Sequence, residues 1–430
     1  MNRIIPGEER MARPNVVLIM ADDMGFECLS CYGSTTYETP VLDDLAARGI
    51  RFSHCYSTPL CTPSRVEIMT GQYNFRNYDR FAYLNPKEKT FGNLLKDAGY
   101  ATCVAGKWQL SKDNKMPAHF GFDEHCLWNM TPLPEDPARV AKGRYANPQI
   151  ERNGEWLPDD YIEDRYGPDI CCDYLLDFIE RHRDVPFFAY YPMILVHAPF
   201  VPTPDSPEWR DRTRRDERDT RYFADMVAYA DTLVGRIVEK LEALDLLENT
   251  LVMFTSDNGT HRTITSQLEG GVEIVGGKGT MPDAGTHVPF IAFWRGVAPE
   301  GVVLDDLVDF SDFLPTLMDL ADAPIPEGMP CDGRSFLPQL RGEQGDPRDW
   351  IFCHYNPRFG FGQDHAGQFA REHRFKIYHD GRFYDVPADR LEEHDIVLGQ
   401  GDADSEEARE RLQKVLDMMP EFIDDYVPER

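Results

Sequence analysis

The stretch Asn15-Val16-Val17-Leu18-Ile19-Met20-Ala21-Asp22-Asp23-Met24-Gly25 joins an uninterrupted apolar run to two adjacent carboxylates. Short apolar runs of this kind are typical of strands that are buried on both faces, as in a parallel sheet. Ligands of parallel sheets bind just beyond the carboxyl ends of the strands. The stretch therefore predicts an α/β fold with a polar site immediately after residue 20.

Other short apolar runs recur along the chain and alternate with helical patterns. The longest such pattern, over about residues 221–244, repeats apolar residues at three- and four-residue steps, so that one stripe would face a core. Thr39-Pro40 would begin an earlier helix, which Gly49 would end. The alternation indicates a mostly parallel sheet with helices on both faces. The predicted strands are residues 16–20, 102–105, 187–191, 251–255 and 290–294.

A second polar pair stands at the end of another predicted strand. Thr255-Ser256-Asp257-Asn258-Gly259 follows the run 251–255 directly, as Asp22-Asp23 follows the run 16–20. If the two strands are neighbours, three carboxylates and one amide converge, and the carboxylates would repel each other without a cation. Oxygen-only ligands favour Ca²⁺ or Mg²⁺ over zinc. For either pair alone, an Asx turn or a helix cap is the competing interpretation.

The segment Cys61-Thr62-Pro63-Ser64-Arg65 predicts the start of a helix, because proline favours the first helical turn. Apolar residues at helical spacing follow, and Thr70-Gly71 ends the pattern. Free backbone N–H groups and the helix dipole suit an anion at this end, and Arg65 adds a bidentate donor. The competing interpretation is that Cys61 is an ordinary buried thiol.

This Cys-x-Pro-Ser-Arg segment with its downstream Thr-Gly resembles the signature of type I sulfatases, the formylglycine-dependent, arylsulfatase-like family of the alkaline phosphatase superfamily. The resemblance extends from residue 13 to about residue 385. It implies an alkaline-phosphatase-like α/β/α sandwich with a mostly parallel central sheet, and a small C-terminal antiparallel sheet with a helix. Other family-like segments are Asp22-Asp23-Met24-Gly25, Gly106-Lys107-Trp108, Val196-His197-Ala198-Pro199, Ser256-Asp257-Asn258-Gly259 and Gly277-Lys278-Gly279-Thr280.

The chain divides at a proline-rich boundary, residues 324–330. We place the sulfatase catalytic domain at residues 12–330 and a small α+β subdomain at residues 331–430. Within the second, His379-Asp380-Gly381 is a turn that would join two antiparallel strands, 374–378 and 382–386. A last helix is predicted over about residues 406–419.

The resemblance also implies roles for individual residues. In this family a formylglycine-generating enzyme oxidises the cysteine to Cα-formylglycine, so that enzyme is the expected partner of Cys61 during maturation. Asp22, Asp23, Asp257, Asn258 and the modified residue 61 would hold one Ca²⁺ ion. Arg65 would hold the hydrated aldehyde, Lys107 and Lys278 would bind the sulfate oxygens, and His197 would protonate the leaving alcohol.

The hydrated aldehyde explains why the cysteine is modified. One hydroxyl would attack sulfur and leave a covalent sulfate ester on residue 61. The other would then lose its proton, and the carbonyl would re-form by expelling sulfate. A serine or a thiol nucleophile has no second hydroxyl for this step.

Two departures from the family pattern concern the surroundings of these residues. Gln109 stands where the family commonly has a histidine, and glutamine donates a hydrogen bond without exchanging a proton. Asp283 and His287 stand where many relatives carry glutamate, glycine and arginine. They would line the substrate pocket or merely stabilise a loop. Further candidates for the substrate side are His261, His354 and Arg358.

The formal charge of −29 bears on the partners. Nucleic-acid binding needs a basic surface, so no nucleic-acid partner is expected. The same field would repel a long sulfated polymer. The first ten residues contain no apolar run, so we expect no signal peptide, anchor or membrane span, and a cytoplasmic enzyme. The ten cysteines are then expected to be reduced thiols.

Together these observations predict a sulfuric ester hydrolase for a small sulfated substrate, with a carbohydrate as the expected class. Two alternatives stay open. Relatives with the same nucleophile hydrolyse phosphonate monoesters or phosphodiesters, and an unmodified Cys61 would leave a protein that binds sulfated ligands without turnover.

Overall fold

A computed structural model of the chain describes residues 13–128 and 143–426. The expectation about the N-terminal ten residues, the outer domain limits at residues 12 and 430, and residues 129–142 lie outside this part of the chain. Within it, no helix is long and apolar enough to cross a membrane. All ten cysteines are described and are free thiols.

Sixteen strands are present in the described residues. They are β1 Asn15–Ala21, β2 Ile50–Tyr56, β3 Ala101–Lys107, β4 Glu124–Trp128, β5 Ile150–Arg152, β6 Glu155–Trp156, β7 Phe187–Pro192, β8 Thr250–Ser256, β9 Thr265–Leu268, β10 Val272–Val275, β11 His287–Phe293, β12 Val302–Asp309, β13 Ile351–Tyr355, β14 Gly367–Arg371, β15 Phe375–Tyr378 and β16 Phe383–Asp385.

Ten of these strands form one central sheet in the order β12-β2-β11-β8-β1-β7-β3-β4-β5-β6. The run β8-β1-β7-β3-β4 is parallel throughout. The prediction of a mostly parallel sheet is therefore confirmed. One predicted strand differs in position and direction, because β11 spans His287–Phe293 and is antiparallel to both β2 and β8. A strand buried on both faces has the same apolar run in either direction.

The helices in the described residues are α1 Pro40–Ala47, α2 Cys61–Thr70, α3 Asn74–Asn77, α4 Phe91–Asp97, α5 Met116–His119, α6 Asp159–Ile162, α7 Gly167–Arg181, α8 Tyr222–Ala243, α9 Asp283–Thr286, α10 Phe313–Leu320, α11 Leu337–Leu340 and α12 Ala403–Met418. Pro40 begins α1 as predicted, and α8 matches the predicted long helix within one residue at each end.

The helices cover both faces of the central sheet. Val17 and Ile19 of β1 pack in one hydrophobic cluster with α1, α7 and α8, whereas Leu18 and Met20 pack in another with α2, α4 and α10. Successive side chains of a strand point to opposite faces, so β1 contributes to both cores. This is the α/β/α sandwich that the sequence predicts.

Strands β9 and β10 form a separate antiparallel pair. The four-stranded sheet near the C-terminus has the order β13-β14-β15-β16 and is antiparallel throughout. The predicted hairpin around residues 379–381 is β15 and β16. Helix α12 packs on this sheet through Leu412 and Val415, which join Phe375 and Ile377 in one cluster. The helix begins at Ala403, three residues before the predicted start, because Asp402 caps it by accepting a hydrogen bond from the Ser405 amide.

Candidate active site

The two acidic pairs meet at the carboxyl edge of the central sheet. Strands β1 and β8 are parallel neighbours, with Ala21 opposite Ser256, so Asp22-Asp23 and Asp257-Asn258 leave the sheet side by side. The Asp23 amide donates to Asp257 Oδ1 at 3.0 Å, and Asn258 Nδ2 donates to Asp23 Oδ1 at 2.9 Å. All four side chains are completely buried. The strand adjacency on which the sequence argument depends is therefore present.

Burial and the neighbouring positive charges shift the pKa values of these carboxylates in opposite directions. Burial raises the pKa of Asp22 to about 7, with Lys107 opposing the shift and Asp257 and Asp23 adding to it. Burial also acts to raise the pKa of Asp257, but Arg65 and Lys107 more than offset it, so that pKa is lowered. Arg65 and Lys107 thus offset part of the repulsion among the carboxylates, and a bound cation would offset it further.

The donor atoms of this cluster fit a hard cation. Asp22, Asp23 and His197 bring candidate ligand atoms within 4.8 Å of one another. Asn258 Oδ1 is buried and accepts no hydrogen bond from the described residues. A buried amide oxygen that accepts no hydrogen bond is available as a ligand of the kind that Ca²⁺ uses. Carboxylate and amide oxygens from Asp22, Asp23, Asp257 and Asn258 therefore form a chemically suitable Ca²⁺ site.

Cys61 is the first residue of α2, as the sequence predicts for a helix N-terminus. Pro63 is the third helical residue, so the helix begins two residues before the proline. Only 1% of Cys61 is exposed. Burial raises the pKa of its thiol, against the opposing charges of Lys107 and Lys278. An unmodified thiol here would be a weak nucleophile, because the thiolate is the reactive form.

Arg65 lies one helical turn after Cys61. Its guanidinium contacts both the candidate metal ligands and β3. Its Nη2 and Nε donate to Asp257 Oδ2 at 2.7 and 3.1 Å. Its Nη1 donates to the carbonyl oxygen of Lys107 at 3.1 Å. The guanidinium also lies 3.8 Å from Asp22 Oδ1. A buried arginine held by two elements provides a fixed positive charge.

Two lysines complete the positive side of the site. Lys107 ends β3, and its Nζ lies 2.8 and 2.7 Å from the two carboxylate oxygens of Asp22. Lys278 lies in the loop between β10 and α9, and its Nζ donates to Asp23 Oδ2 at 2.5 Å. Both ammonium groups are buried. The structure thus brings Cys61, both lysines and the acidic pairs into one charged cluster.

His197 faces the same cluster from the segment after β7. Its Nε2 lies 3.6 Å from Asp23 Oδ2, and its side chain is 17% exposed. Burial first, then Lys278, Lys107 and Arg144, hold the pKa of His197 well below its ordinary value. The ring is therefore neutral near pH 7 and has one proton to donate.

Arg144 is a site residue that the sequence analysis missed. Its Nη1 lies 2.6 Å from His197 Nδ1, and its guanidinium stacks over the Trp128 ring at 4.2 Å. Nothing in the surrounding segment Gly143-Arg144-Tyr145 forms a motif. Only the fold shows that this loop reaches the histidine.

Gln109 is buried two residues beyond β3. Its φ of 54° and that of Asp23, 63°, lie in the left-handed region that non-glycine residues seldom adopt. Strained backbone of this kind is concentrated at functional sites. The role of Gln109 toward residue 61 stays a prediction.

Two of the candidates for the substrate side are neighbours, since His287 Nδ1 lies 3.9 Å from Asp283 Oδ2. Asp283 forms an ion pair with Arg371, and His287 Nε2 lies 2.8 Å from the Ser53 carbonyl oxygen. His261 is half-buried, and its Nδ1 lies 2.9 Å from the hydroxyl of Thr263. Their roles in substrate binding stay predictions.

Two further candidates make their contacts with the C-terminal part of the chain. Gln368 Nε2 donates to His354 Nδ1 at 2.9 Å, and the imidazole lies beside Phe422. Arg358 donates to Asp425 at 2.8 Å. Through these interactions both residues hold the C-terminal part of the chain in place. A role in substrate binding stays a prediction for each.

Comparison with known proteins identifies the family. The sequence profile described as Sulfatase matches residues 14–323. Arylsulfatase A of Homo sapiens is 34% identical over 369 residues, which cover 79% of this chain and 70% of that protein. N-acetylgalactosamine-6-sulfatase of Homo sapiens is 33% identical over 355 residues, covering 76% of this chain and 66% of that protein.

Solved structures share the fold of the chain. A solved structure from work on glycosaminoglycan metabolism by Bacteroides thetaiotaomicron superposes with a TM-score of 0.74 at 24% identity. The match covers 95% of this chain and 99% of that one. The architecture is therefore alkaline-phosphatase-like, including the small C-terminal sheet.

Proposed function

The chain belongs to the sulfatase family and is a sulfuric ester hydrolase, and on that premise we propose that it removes sulfate from a small sulfated carbohydrate, using a formylglycine at position 61 and one Ca²⁺ ion. The observation that carries the proposal is the convergence of Cys61, two acidic pairs and two lysines at one edge of the sheet. Formylglycine formation at Cys61 and Ca²⁺ at the acidic pairs are parts of the proposal.

The metal would be held by Asp22, Asp23, Asp257 and Asn258 together with the modified residue 61. Bound there, Ca²⁺ would supply positive charge for the sulfuryl oxygens and would make a hydroxyl on residue 61 more acidic. The oxygen-only donors and the unpaired Asn258 Oδ1 support this choice of ion.

The lysines and the arginine would bind and orient the ester. Lys107 and Lys278 place two ammonium groups within 3 Å of the carboxylates that border residue 61. Sulfate oxygens at that position would accept hydrogen bonds from both, which holds the sulfur in line with residue 61. Arg65, fixed by Asp257, would stabilise negative charge on the hydroxyls of the modified residue.

His197 would protonate the departing alcohol oxygen. The neutral ring donates through Nε2, which faces the site, provided that Nδ1 accepts a hydrogen bond. Arg144 supports this tautomer, because a guanidinium only donates. The Ala198 carbonyl oxygen, 2.6 Å from the same Nδ1, favours the other tautomer. We propose that Arg144 positions the histidine for proton transfer.

A group of aromatic side chains supports a substrate with an apolar face. Phe81 packs on the cluster that contains Cys61, and its ring stacks on Phe359 at 4.2 Å. Phe361 lies 4.9 Å from the guanidinium of Arg262, which donates to the Lys278 carbonyl oxygen. Phe359 and Phe361 are 41% and 38% exposed. Exposed rings beside a charged site suit the C–H face of a sugar or an aryl ring.

Two further observations bear on the size and class of the substrate. The relative N-acetylgalactosamine-6-sulfatase is named for a sulfated sugar. The charge of −29 would disfavour a long polyanion relative to a monosaccharide or short oligosaccharide.

A substrate panel tests the proposal. The matured enzyme would be given defined mono- and disaccharide sulfates, an intact sulfated polysaccharide, nitrophenyl sulfate and a phosphonate monoester, first with Ca²⁺ and then with Mn²⁺. We expect the highest kcat/KM on a small sulfated sugar with Ca²⁺. A large preference for the phosphonate, or for the intact polymer, would contradict the proposal.

A further inference from the structure

A second group of candidate metal ligands lies where the central sheet meets the four-stranded sheet. His54 is on β2, Asp305 is on β12, and His373 is in the turn between β14 and β15. His54 Nε2 lies 3.2 Å from Asp305 Oδ1, and His373 Nε2 lies 3.9 Å from Asp305 Oδ2. Candidate ligand atoms of all three lie within 4.8 Å of one another.

A β-bulge in β12 positions the Asp305 carboxylate. Strand β12 pairs with β2 through Leu304 opposite Phe52 and Leu307 opposite His54, so one extra residue of β12 stands in this interval. Bulges turn a side chain away from the regular alternation and are frequent beside functional sites. Here the bulge contains Asp305, next to the His54 imidazole on the neighbouring strand.

The orientation of His54 leaves one ring nitrogen for a ligand. Its Nδ1 lies 3.1 Å from the Tyr56 hydroxyl, while Nε2 faces Asp305. A second hydrogen bond of this kind at the far nitrogen is typical of metal-binding histidines, because it fixes the ring and the tautomer.

The surrounding charges also suit a cation. Arg371, the nearby arginine, is paired with Asp283. The Asp305 carboxylate then lies beside two imidazoles, and Asp306 adds a second negative charge that interacts with His373. A cavity of about 480 Å³ adjoins the cluster and is lined in part by His54 and His373. A bound ion would therefore have an open side for water or an exogenous ligand.

We propose that His54, Asp305 and His373 bind a transition-metal ion, with Zn²⁺ as the best match. Two imidazoles and one carboxylate are a frequent zinc ligand set, with a fourth position open. Metal–ligand bonds of about 2.0–2.1 Å in tetrahedral geometry place ligand atoms about 3.3 Å apart, close to the 3.2 Å between His54 and Asp305. These donors differ from the all-oxygen set at Asp22, so the two sites select different ions.

His373 needs only a small rearrangement. In the structure its Nε2 donates to the Asp305 carbonyl oxygen at 2.7 Å. The side chain is 46% exposed and belongs to a three-residue turn, so the ring would have to exchange its hydrogen bond to the carbonyl oxygen for the ion. Metal binding would then join the bulge of β12 to the β14–β15 turn and link the two sheets.

Zn²⁺ binding by the full chain tests the proposal without reference to turnover. Calorimetric titration would be run with Ca²⁺ in excess, on the wild type and on His373→Gln and Asp305→Asn. Visible absorption with Co²⁺ as a probe would report the coordination geometry. We expect one Zn²⁺ per wild-type chain that each substitution weakens at least tenfold, with a tetrahedral Co²⁺ spectrum lost in both variants.

The matched control is His365→Gln. His365 lies 3.5 Å from Asp364 and is 39% exposed, so it resembles His373 in exposure and in having an acidic neighbour, without the other ligands. Its substitution should leave Zn²⁺ affinity unchanged. Near-ultraviolet circular dichroism would check that each variant is folded. A wild type that binds no Zn²⁺ at micromolar concentration, or variants weakened less than tenfold, would overturn the proposal.

Discussion

The acidic edge of the central sheet and the cluster around His54 are both suited to a cation, yet they are built in opposite ways. At the first, Asp22, Asp23, Asp257 and Asn258 are completely buried and offer only oxygen. At the second, nitrogen donors predominate, and the side chain of Asp305 is 81% exposed. Burial makes the first cluster depend on ionic partners for stability, whereas the second gains little from its ion pairs without a metal.

The largest effect is expected from Cys61→Ala. Without a thiol to oxidise, no formylglycine forms, and kcat/KM for nitrophenyl sulfate should fall by about 10³-fold or more. Because Cys61 takes no part in the cluster around His54, Zn²⁺ affinity at that cluster should not change. Steady-state kinetics and calorimetry on the same preparation check both statements. A variant that keeps a tenth of the activity would remove residue 61 from the mechanism.

The second largest effect concerns stability at the acidic edge. Asp257→Asn leaves the buried guanidinium of Arg65 without its closest carboxylate, so the free energy of unfolding should fall by about 3–5 kcal/mol. The exposed pair of Arg214 and Glu217 provides a control, since solvent screens this pair and Glu217→Gln should leave the free energy of unfolding nearly unchanged. Urea unfolding followed by circular dichroism measures both. An equal decrease in the free energy of unfolding for the two variants would show that Asp257 does not stabilise the buried charge of Arg65.

A smaller effect, about tenfold on kcat, is expected for Arg144→Gln. Arg144 lowers the pKa of His197, so its removal should raise that pKa. Because the neutral ring is the donor, the change in kcat caused by adding a second proton to the ring at low pH should then begin at a higher pH, and the acidic limb of the pH profile of kcat should move upward. A lower kcat with an unmoved profile would indicate that Arg144 only supports the loop.

The smallest effect is expected at the aromatic side chains. Phe359→Ala removes one partner of the stacked pair with Phe81, and its loss should raise KM for a small sulfated substrate about two- to tenfold. The inhibition constant of inorganic sulfate, which has no apolar face, should stay the same. Measuring the two constants side by side separates substrate contact from disturbance of the charged site. A parallel rise in both would argue for disturbance.

The sequence predicts the acidic edge and not the cluster around His54 for a physical reason. Asp22-Asp23 and Asp257-Asn258 follow apolar runs directly, and the geometry of parallel strands then brings strand ends together. His54, Asp305 and His373 are single residues on three distant segments, joined by a bulge and a turn that leave no pattern. Arg144 was not predicted for the same reason, since its own segment contains no pattern that places it beside His197.

The elements of the fold also differ in how well the sequence predicts them. Strands β1, β3, β7 and β8 and the amphipathic helix α8 are predicted within one or two residues, because their hydrophobic pattern follows their periodicity. The direction of β11 is not predicted, because an interior strand is apolar whether it runs parallel or antiparallel. Strand β2 is missed because Arg51, Ser53 and His54 interrupt its apolar residues.

The most direct test of the central claim is the mass of the peptide that contains Cys61, measured on the same preparation whose hydrolysis of nitrophenyl sulfate is recorded. We predict a peptide lighter than the thiol form by two hydrogens and the difference between sulfur and oxygen, with activity proportional to the fraction converted. Full activity in a preparation whose Cys61 is an intact thiol would contradict the account.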